Sequence, residues 1–231
     1  MEFYDEFFVR PTAYYMIFFA KCHISFFRKL LQMRTFCGIL YTNILCKGET
    51  AMDFVIRELS QEEFDYHELH YTYSSNEHYV PSVKSEKDIF SCTFERKPLD
   101  KTYFHDSYDT LFQEYWQDVS AFGIKHPEKD EFIAYLEIAR EEWNDRLRIT
   151  NLLVAPEYRK NGIGTILIEK AKEIARLEDR RVIVLETQSC NVPAIDFYLK
   201  NGFSFAGTNL YFYSNTDIEE DEVMIELVFL Y

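Results

Sequence analysis

The residues best suited to chemistry lie in Val154-Ala-Pro-Glu-Tyr-Arg-Lys-Asn-Gly-Ile-Gly164. An apolar run ends at Val154, Pro156 stops it, and Arg159-Lys160-Asn161-Gly162-Ile163-Gly164 turns into a helical pattern. Glycines let backbone N–H groups approach a ligand closely, and a helix N-terminus favours negative charge. Arg159 and Lys160 add cationic donors, so the unit suits a phosphate or pyrophosphate. It lacks GxxxxGK[ST] and GxGxxG, which excludes a P-loop and the dinucleotide fingerprint. A second polar segment, Asn191-Val-Pro-Ala-Ile-Asp-Phe-Tyr-Leu-Lys-Asn-Gly-Phe203, follows an apolar run ending Leu185-Glu186-Thr187. Asn191 suits a helix N-cap, Pro193 its first turn, and Asn201-Gly202 its end.

The elements that must hold these segments are legible from periodicity. Asp53–Leu59 predicts a strand, and Ser60-Gln-Glu-Glu63 a capping box opening a short helix. Val119–Ile124 and Phe132–Ile138, separated by His126-Pro127-Glu128-Lys129-Asp130, predict a hairpin. Arg146–Val154 alternates as a strand. Gly162–Glu178 carries Ile163, Ile166, Leu167, Ala171, Ile174 and Ala175 at helical spacing. Arg181–Thr187 is a buried-strand pattern, and Phe203–Ala206 and Glu222–Phe229 close the chain. Residues 71–118 are polar and aromatic without a clear period. No repeat or linker divides 52–231, which reads as one α/β domain.

Charge and composition narrow the partners. Lys and Arg number 25 against 39 Asp and Glu, a formal charge of −14. A broad nucleic-acid-binding face and an anionic membrane are both disfavoured, whereas a cationic partner such as a polyamine or an amine-bearing small molecule fits. Residues 1–51 differ, with six Lys/Arg, four acids and twelve Phe/Tyr. Their charge-free runs, Pro11–Ala20 and Thr35–Cys46, fall short of the ~20 apolar residues of a membrane span, and they lack the layout of a signal peptide. Lys47-Gly48-Glu49 before Met52 is what a purine-rich ribosome-binding sequence would spell, so 1–51 reads as an over-extended gene start, with a domain from Met52. The alternative is an aromatic-rich extension that packs on the domain or joins two copies as a homodimer. Past residue 52 only Cys92 and Cys190 remain, both read as structural thiols, and the reducing cytoplasm is the expected compartment.

Together the two polar segments resemble the hallmark motifs of the GNAT superfamily of acetyl-CoA-dependent N-acetyltransferases: the [QR]xxGx[GA] pyrophosphate loop and the NxxAxxFYxxxGF segment. The resemblance covers roughly 119–231. It implies a mixed, mostly antiparallel twisted sheet flanked by helices, acetyl-CoA as co-substrate, and direct transfer to a primary amine. By the same resemblance, Leu152, Val154, Arg159, Lys160, Asn161, Gly162, Ile163, Gly164 and Asn191 would bind acetyl-CoA, Val154 through its backbone N–H. Tyr198 maps to the tyrosine that protonates the leaving thiolate, and a phenol of pKa about 10 suits that role. Glu186 and Glu137 are the two candidates for the general base. Within the superfamily the chain is similar to streptothricin acetyltransferases at Glu141-Glu-Trp143-Asn144, Leu185-Glu-Thr-Gln188 and Val228-Phe-Leu-Tyr231. It departs at Thr150-Asn151, where that branch commonly carries Glu-Asp. A CoA-binding sensor without turnover and a peptide or protein N-acetyltransferase are the alternative functions.

Other clusters carry less. His67-Glu-Leu-His70 has two histidines three apart and no third ligand, so a surface helix is expected rather than a metal site. His105-Asp106 are adjacent in sequence, and adjacent residues rarely converge on one site.

Overall fold

The computed structural model describes Ile39–Asn43 and residues 53–231. Apart from Ile39–Asn43, the segment read as an over-extended gene start lies outside the described residues. Strands β1 (Ile39–Asn43), β2 (Asp53–Leu59), β5 (Val119–Lys125), β6 (Phe132–Glu141), β7 (Arg146–Val154), β8 (Val182–Gln188), β9 (Ser204–Asn209) and β10 (Met224–Leu230) form one sheet, ordered β1-β2-β5-β6-β7-β8-β10-β9. The β2–β5, β5–β6, β6–β7, β8–β10 and β9–β10 pairs are antiparallel. The β7–β8 pair is parallel, joined by α2 (Ile163–Leu177). This is the mixed, mostly antiparallel sheet that the resemblance implies.

Consecutive residues of β6 are buried, so both of its faces are covered, whereas β7 buries alternate residues. Ile133, Ala134, Leu136, Ile138 and Leu147 are buried in one cluster with Ile163, Leu167, Ala171, Ile174 and Ala175 of α2. Helix α3 (Val192–Lys200) adds Ile195 and Tyr198 to the same cluster. The short helix α1 (Gln61–Phe64) is capped as expected, with the Glu63 N–H donating to Ser60 Oγ at 3.3 Å.

Charged residues staple the end of the sheet where β7 meets β8. The Arg140 guanidinium donates to both Glu178 carboxylate oxygens, with contacts of 2.7 to 3.0 Å. Glu141 accepts from Arg146 at 2.6 Å and Arg148 at 2.5 Å. Burial opposes its ionisation, yet those two guanidinium hydrogen bonds hold the Glu141 carboxyl below the usual carboxylate range.

Residues 71–118, without a clear period in the sequence, belong mainly to a separate two-stranded ribbon of β3 (Glu68–Glu86) and β4 (Ile89–Thr110). His70 lies within β3, which corrects the helix expected at His67–His70: the two rings go to Tyr135 at 3.1 Å and Asp106 at 2.9 Å respectively. Among the described residues no group of three or more His, Cys, Asp or Glu is placed to hold a metal. A lone hairpin is marginal in water, and here its base is anchored. Leu69 packs with Leu59, Phe64 and Leu111 in a second small core. Higher up, the Tyr79 N–H donates to the Ser189 carbonyl at 3.0 Å, and Arg96 holds both Asp196 oxygens on α3 at 3.0 and 3.1 Å. The far end carries exposed Val83, Ile89 and Phe90. A ribbon buried only near its base has no reason to show sustained hydrophobic alternation. Among the described residues no helix is long and apolar enough to cross a membrane.

Leu147 pairs with Ile183 where β7 and β8 meet and is fully buried. Leu147→Ala is expected to destabilise the protein by about 3 kcal/mol, the middle of the range for buried Leu-to-Ala changes. Equilibrium urea unfolding of the variant beside the parent checks it.

Candidate active site

Parallel pairing of β7 with β8 covers only Arg146–Arg148 against Val182–Val184. The next stretch of β7 contains an irregularity: Ile138 of β6 faces Ile149 and Glu137 faces Asn151, leaving Thr150 without a partner. An inserted residue of this kind bends its strand and increases its twist, and beyond it β7 no longer pairs with β8. The Ala155 N–H donates to Ile133 on the β6 side at 2.9 Å. The two-residue period of a strand then turns the Leu152 and Val154 N–H groups to the opposite edge, towards β8. A cavity of about 780 Å³ fills that gap, bordered by Ile149–Val154 on one wall and Leu185–Gln188 on the other.

At one end the cavity reaches the start of α2. Gly162 caps the helix with φ 83°, a left-handed conformation that glycine adopts without strain. Ile166 N–H bonds the Gly162 carbonyl at 3.1 Å, and the N–H groups before it have no partner within the helix. Arg159, Lys160, Gly162, Gly164 and Thr165 border the cavity here. Ile163 is buried in the core, and the Asn161 amide donates to the Tyr158 carbonyl at 3.4 Å; neither side chain borders the cavity. Gly164 has a packing reason of its own, since a Cβ there would lie 2.9 Å from the Phe197 ring. Arg159 is engaged by protein: Nε donates to the Val154 carbonyl at 2.9 Å and Nη1 to Thr72 at 2.7 Å. It ties the ribbon to the end of β7.

Asn191 caps α3, accepting the Ala194 N–H at 3.3 Å, and also borders the cavity. Two turns on, Tyr198 lies against Phe197 and Phe203 and borders the same space. Burial pushes its phenol above the ordinary range, so it stays protonated. Glu186 opens onto the cavity from β8. Surrounding protein raises its carboxyl pKa; Arg148 partly offsets this, and Glu226, opposite it on β10, adds to it. Glu137 does not border the cavity. It is fully buried, accepting from Phe112 N–H at 2.6 Å, Thr150 Oγ1 at 2.6 Å and Asn151 Nδ2 at 2.9 Å.

Residues absent from the sequence-derived set also line the cavity. Tyr71, Tyr73, His105, Ser107 and Asp109 of the ribbon and Tyr213 of the β9–β10 connection border the cavity. Tyr71 faces Ser107 and Tyr73 faces His105 across the ribbon, so the two-residue spacings Tyr71-x-Tyr73 and His105-x-Ser107-x-Asp109 put these groups on one face. That alternation was the available signal. His105 and Asp106 do part company: His105 stacks on Tyr73, while Asp106 bonds His70. Tyr73 donates to Gln188 at 2.8 Å and lies 3.4 Å from the sulfur of buried Cys190, whose thiol burial pushes up to about 11.

Residues 84–203 match the acetyltransferase (GNAT) family. Streptothricin acetyltransferase A of Bacillus subtilis (strain 168) is 32% identical over 139 residues, covering 56% of this chain and 74% of that protein. A streptothricin acetyltransferase of Streptomyces lavendulae is 34% identical over 87 residues, covering 38% of this chain but only 46% of its own length. In three dimensions the fold is similar to that of a Bacillus anthracis protein, provisionally named a streptothricin acetyltransferase and solved in complex with acetyl coenzyme A. The TM-score is 0.60 and the identity 24%, over 79% of this chain and 99% of that one. A strand splayed from its parallel neighbour, a glycine-capped helix at one end of the gap and these sequence matches agree: the chain belongs to the GNAT acetyltransferase family, on the branch that holds the streptothricin acetyltransferases.

Proposed function

We propose that the protein transfers the acetyl group of acetyl-CoA to a primary amine of a small cationic acceptor, with a streptothricin-like antibiotic as the best-supported example. The observation that carries this reading is the lining of the cavity. It offers helix N–H groups and Lys160 to a pyrophosphate, and Asp109, Glu186 and aromatic rings to a cation. The N–H groups of Leu152 and Val154 are turned to the β8 edge, where a thioester arm fits. The two acids that the branch commonly carries at the positions of Thr150-Asn151 are replaced in this cavity by acids from β4 and β8.

Direct transfer needs three services. The amine must be neutral to attack, the thioester oxygen must be stabilised as it gains charge, and the departing thiolate must be protonated. The Val154 N–H serves the developing oxyanion. Glu186 takes a proton from the substrate ammonium through water, which its raised pKa favours. The amine nitrogen then bonds to the acetyl carbon, the carbon–sulfur bond breaks, Tyr198 gives its proton to the sulfur, and the nitrogen sheds its second proton through water, which restores the phenol. Glu137, with its oxygens already accepting three hydrogen bonds, supports the wall rather than acting as a base.

Three measurements test this. Purified protein with acetyl-CoA and streptothricin is expected to release free CoA thiol and yield an acceptor heavier by one acetyl group in mass spectrometry. A panel of polyamines and peptides turned over in its place would refute the acceptor. Tyr198→Phe is expected to lower kcat on the order of 10²-fold while leaving acetyl-CoA affinity nearly unchanged, since the lost proton donor matters in the transition state. Glu186 works only when ionised, and its pKa is raised, so kcat/KM climbs with pH above the ordinary carboxylate range. In Glu186→Gln that acidic limb should vanish and kcat should fall; a limb that persists removes Glu186 from the role of base.

A further inference from the structure

The hydrogen bonds behind β7 have a fixed direction. A carboxylate only accepts, so the three groups on Glu137 must all donate: the Phe112 N–H, the Thr150 hydroxyl and the Asn151 amide nitrogen. That settles which way the Asn151 amide faces. Its nitrogen points to Glu137 at 2.9 Å, and its oxygen points to the Tyr71 hydroxyl at 2.8 Å. Tyr71 must then donate its proton to Asn151, and its phenol oxygen is left with lone pairs alone. Both Tyr71 and Asn151 border the cavity. The Tyr71 oxygen already accepts from the Leu152 peptide N–H and lies near Tyr198, the group assigned above to the leaving thiolate, so one lone pair remains for a ligand.

We infer that Tyr71 orients the acceptor amine for attack, its phenol oxygen accepting an N–H from the nitrogen, and that Glu137 and Asn151 are positioning residues that set the direction of the Tyr71 proton. The inference rests on the acetyltransferase reading but not on streptothricin as the acceptor. It separates two tyrosines that share one cavity. Tyr198 has a proton to give; the proton of Tyr71 is already committed to Asn151. Burial keeps Tyr71 a neutral phenol, so it does not add a charge that would hold the amine in its unreactive ammonium form. An amine held there sits beside the splayed strand, and such placement lowers the entropic part of the barrier. Glu137 thereby gains a function at a distance from the reacting atoms.

The test is a double-mutant cycle on full-length protein, with initial rates on streptothricin and spermine and acetyl-CoA affinity by calorimetry. Tyr71→Phe should lower kcat/KM for the amine about tenfold, the scale of one hydrogen bond, with the Kd for acetyl-CoA unchanged. Glu137→Gln introduces a donor, lets Asn151 reverse and turns the Tyr71 proton towards the amine, so it should lower kcat/KM similarly. Combined with Tyr71→Phe it should lower kcat/KM no further, because its effect runs through that hydroxyl. Additive losses, or a Tyr71→Phe enzyme with parental kcat/KM, would overturn the inference. Should Glu137→Gln not fold, Tyr71→Phe decides by its amine-specific loss against an unchanged acetyl-CoA affinity. Turnover of spermine but not streptothricin would refute the proposed acceptor while leaving the Tyr71 comparison to be read on spermine. Turnover of neither, or of no primary amine, overturns both.

Discussion

Every feature of the site depends on β7 leaving β8 after three paired residues. The cause is local: Thr150 is one residue too many against β6, and the strand bends where it is inserted. A bulge in a buried strand must satisfy its polar groups, and Glu137 meets that need from β6. Its carboxylate takes the Thr150 hydroxyl, the Asn151 amide and the Phe112 N–H. Removing one partner from a buried charge costs more than the bond is worth, so the bend is held firmly. The same bend opens the cavity, turns two backbone N–H groups into it and presents Asn151 to Tyr71. Structure and chemistry share one carboxylate.

The splay also requires that β7 and β8 do not separate altogether. Where they do pair, buried Leu147 and Ile183 pack between them, and Glu141, Arg146, Arg148 and Glu226 bridge β6, β7 and β10. Arg140 with Glu178 fastens the end of α2 to β6. The two strands are therefore joined at one end and apart at the other, which opens the cleft between them. The α2 N-terminus and α3 sit at the open end because both helices follow directly from the splayed strands.

The ribbon closes the acceptor side. Arg159 illustrates how it is attached: the residue that suggests a phosphate contact from sequence also ties Thr72 of the ribbon to Val154 of β7. Anion loop, oxyanion strand and acceptor wall are thus connected through one guanidinium. Asp109 and Glu186 add acidic groups to the cavity lining, in keeping with the acidic balance of the chain.

The sequence by itself determined the elements whose signals are short-range. Ser60, Gly162, Asn191 and Gly202 mark helix ends by capping chemistry within a few residues, and the apolar spacing of 163–175 could only be a helix packed on one side. Tyr198 and the glycine loop were legible for the same reason: each belongs to a local motif. The bulge was not legible, because an extra residue exists only relative to the partner strand, and nothing within Arg146–Val154 announces the register. Nor was the role of Glu137, which depends on three groups brought to it from β7 and the β4–β5 connection. The ribbon escaped because its polar–aromatic alternation serves a cavity rather than a core, so its two-residue period carries no hydrophobic contrast. Tyr71, Tyr73, His105 and Asp109 enter the site through cross-strand pairing and docking, and such non-local contacts are decided only when the chain has folded.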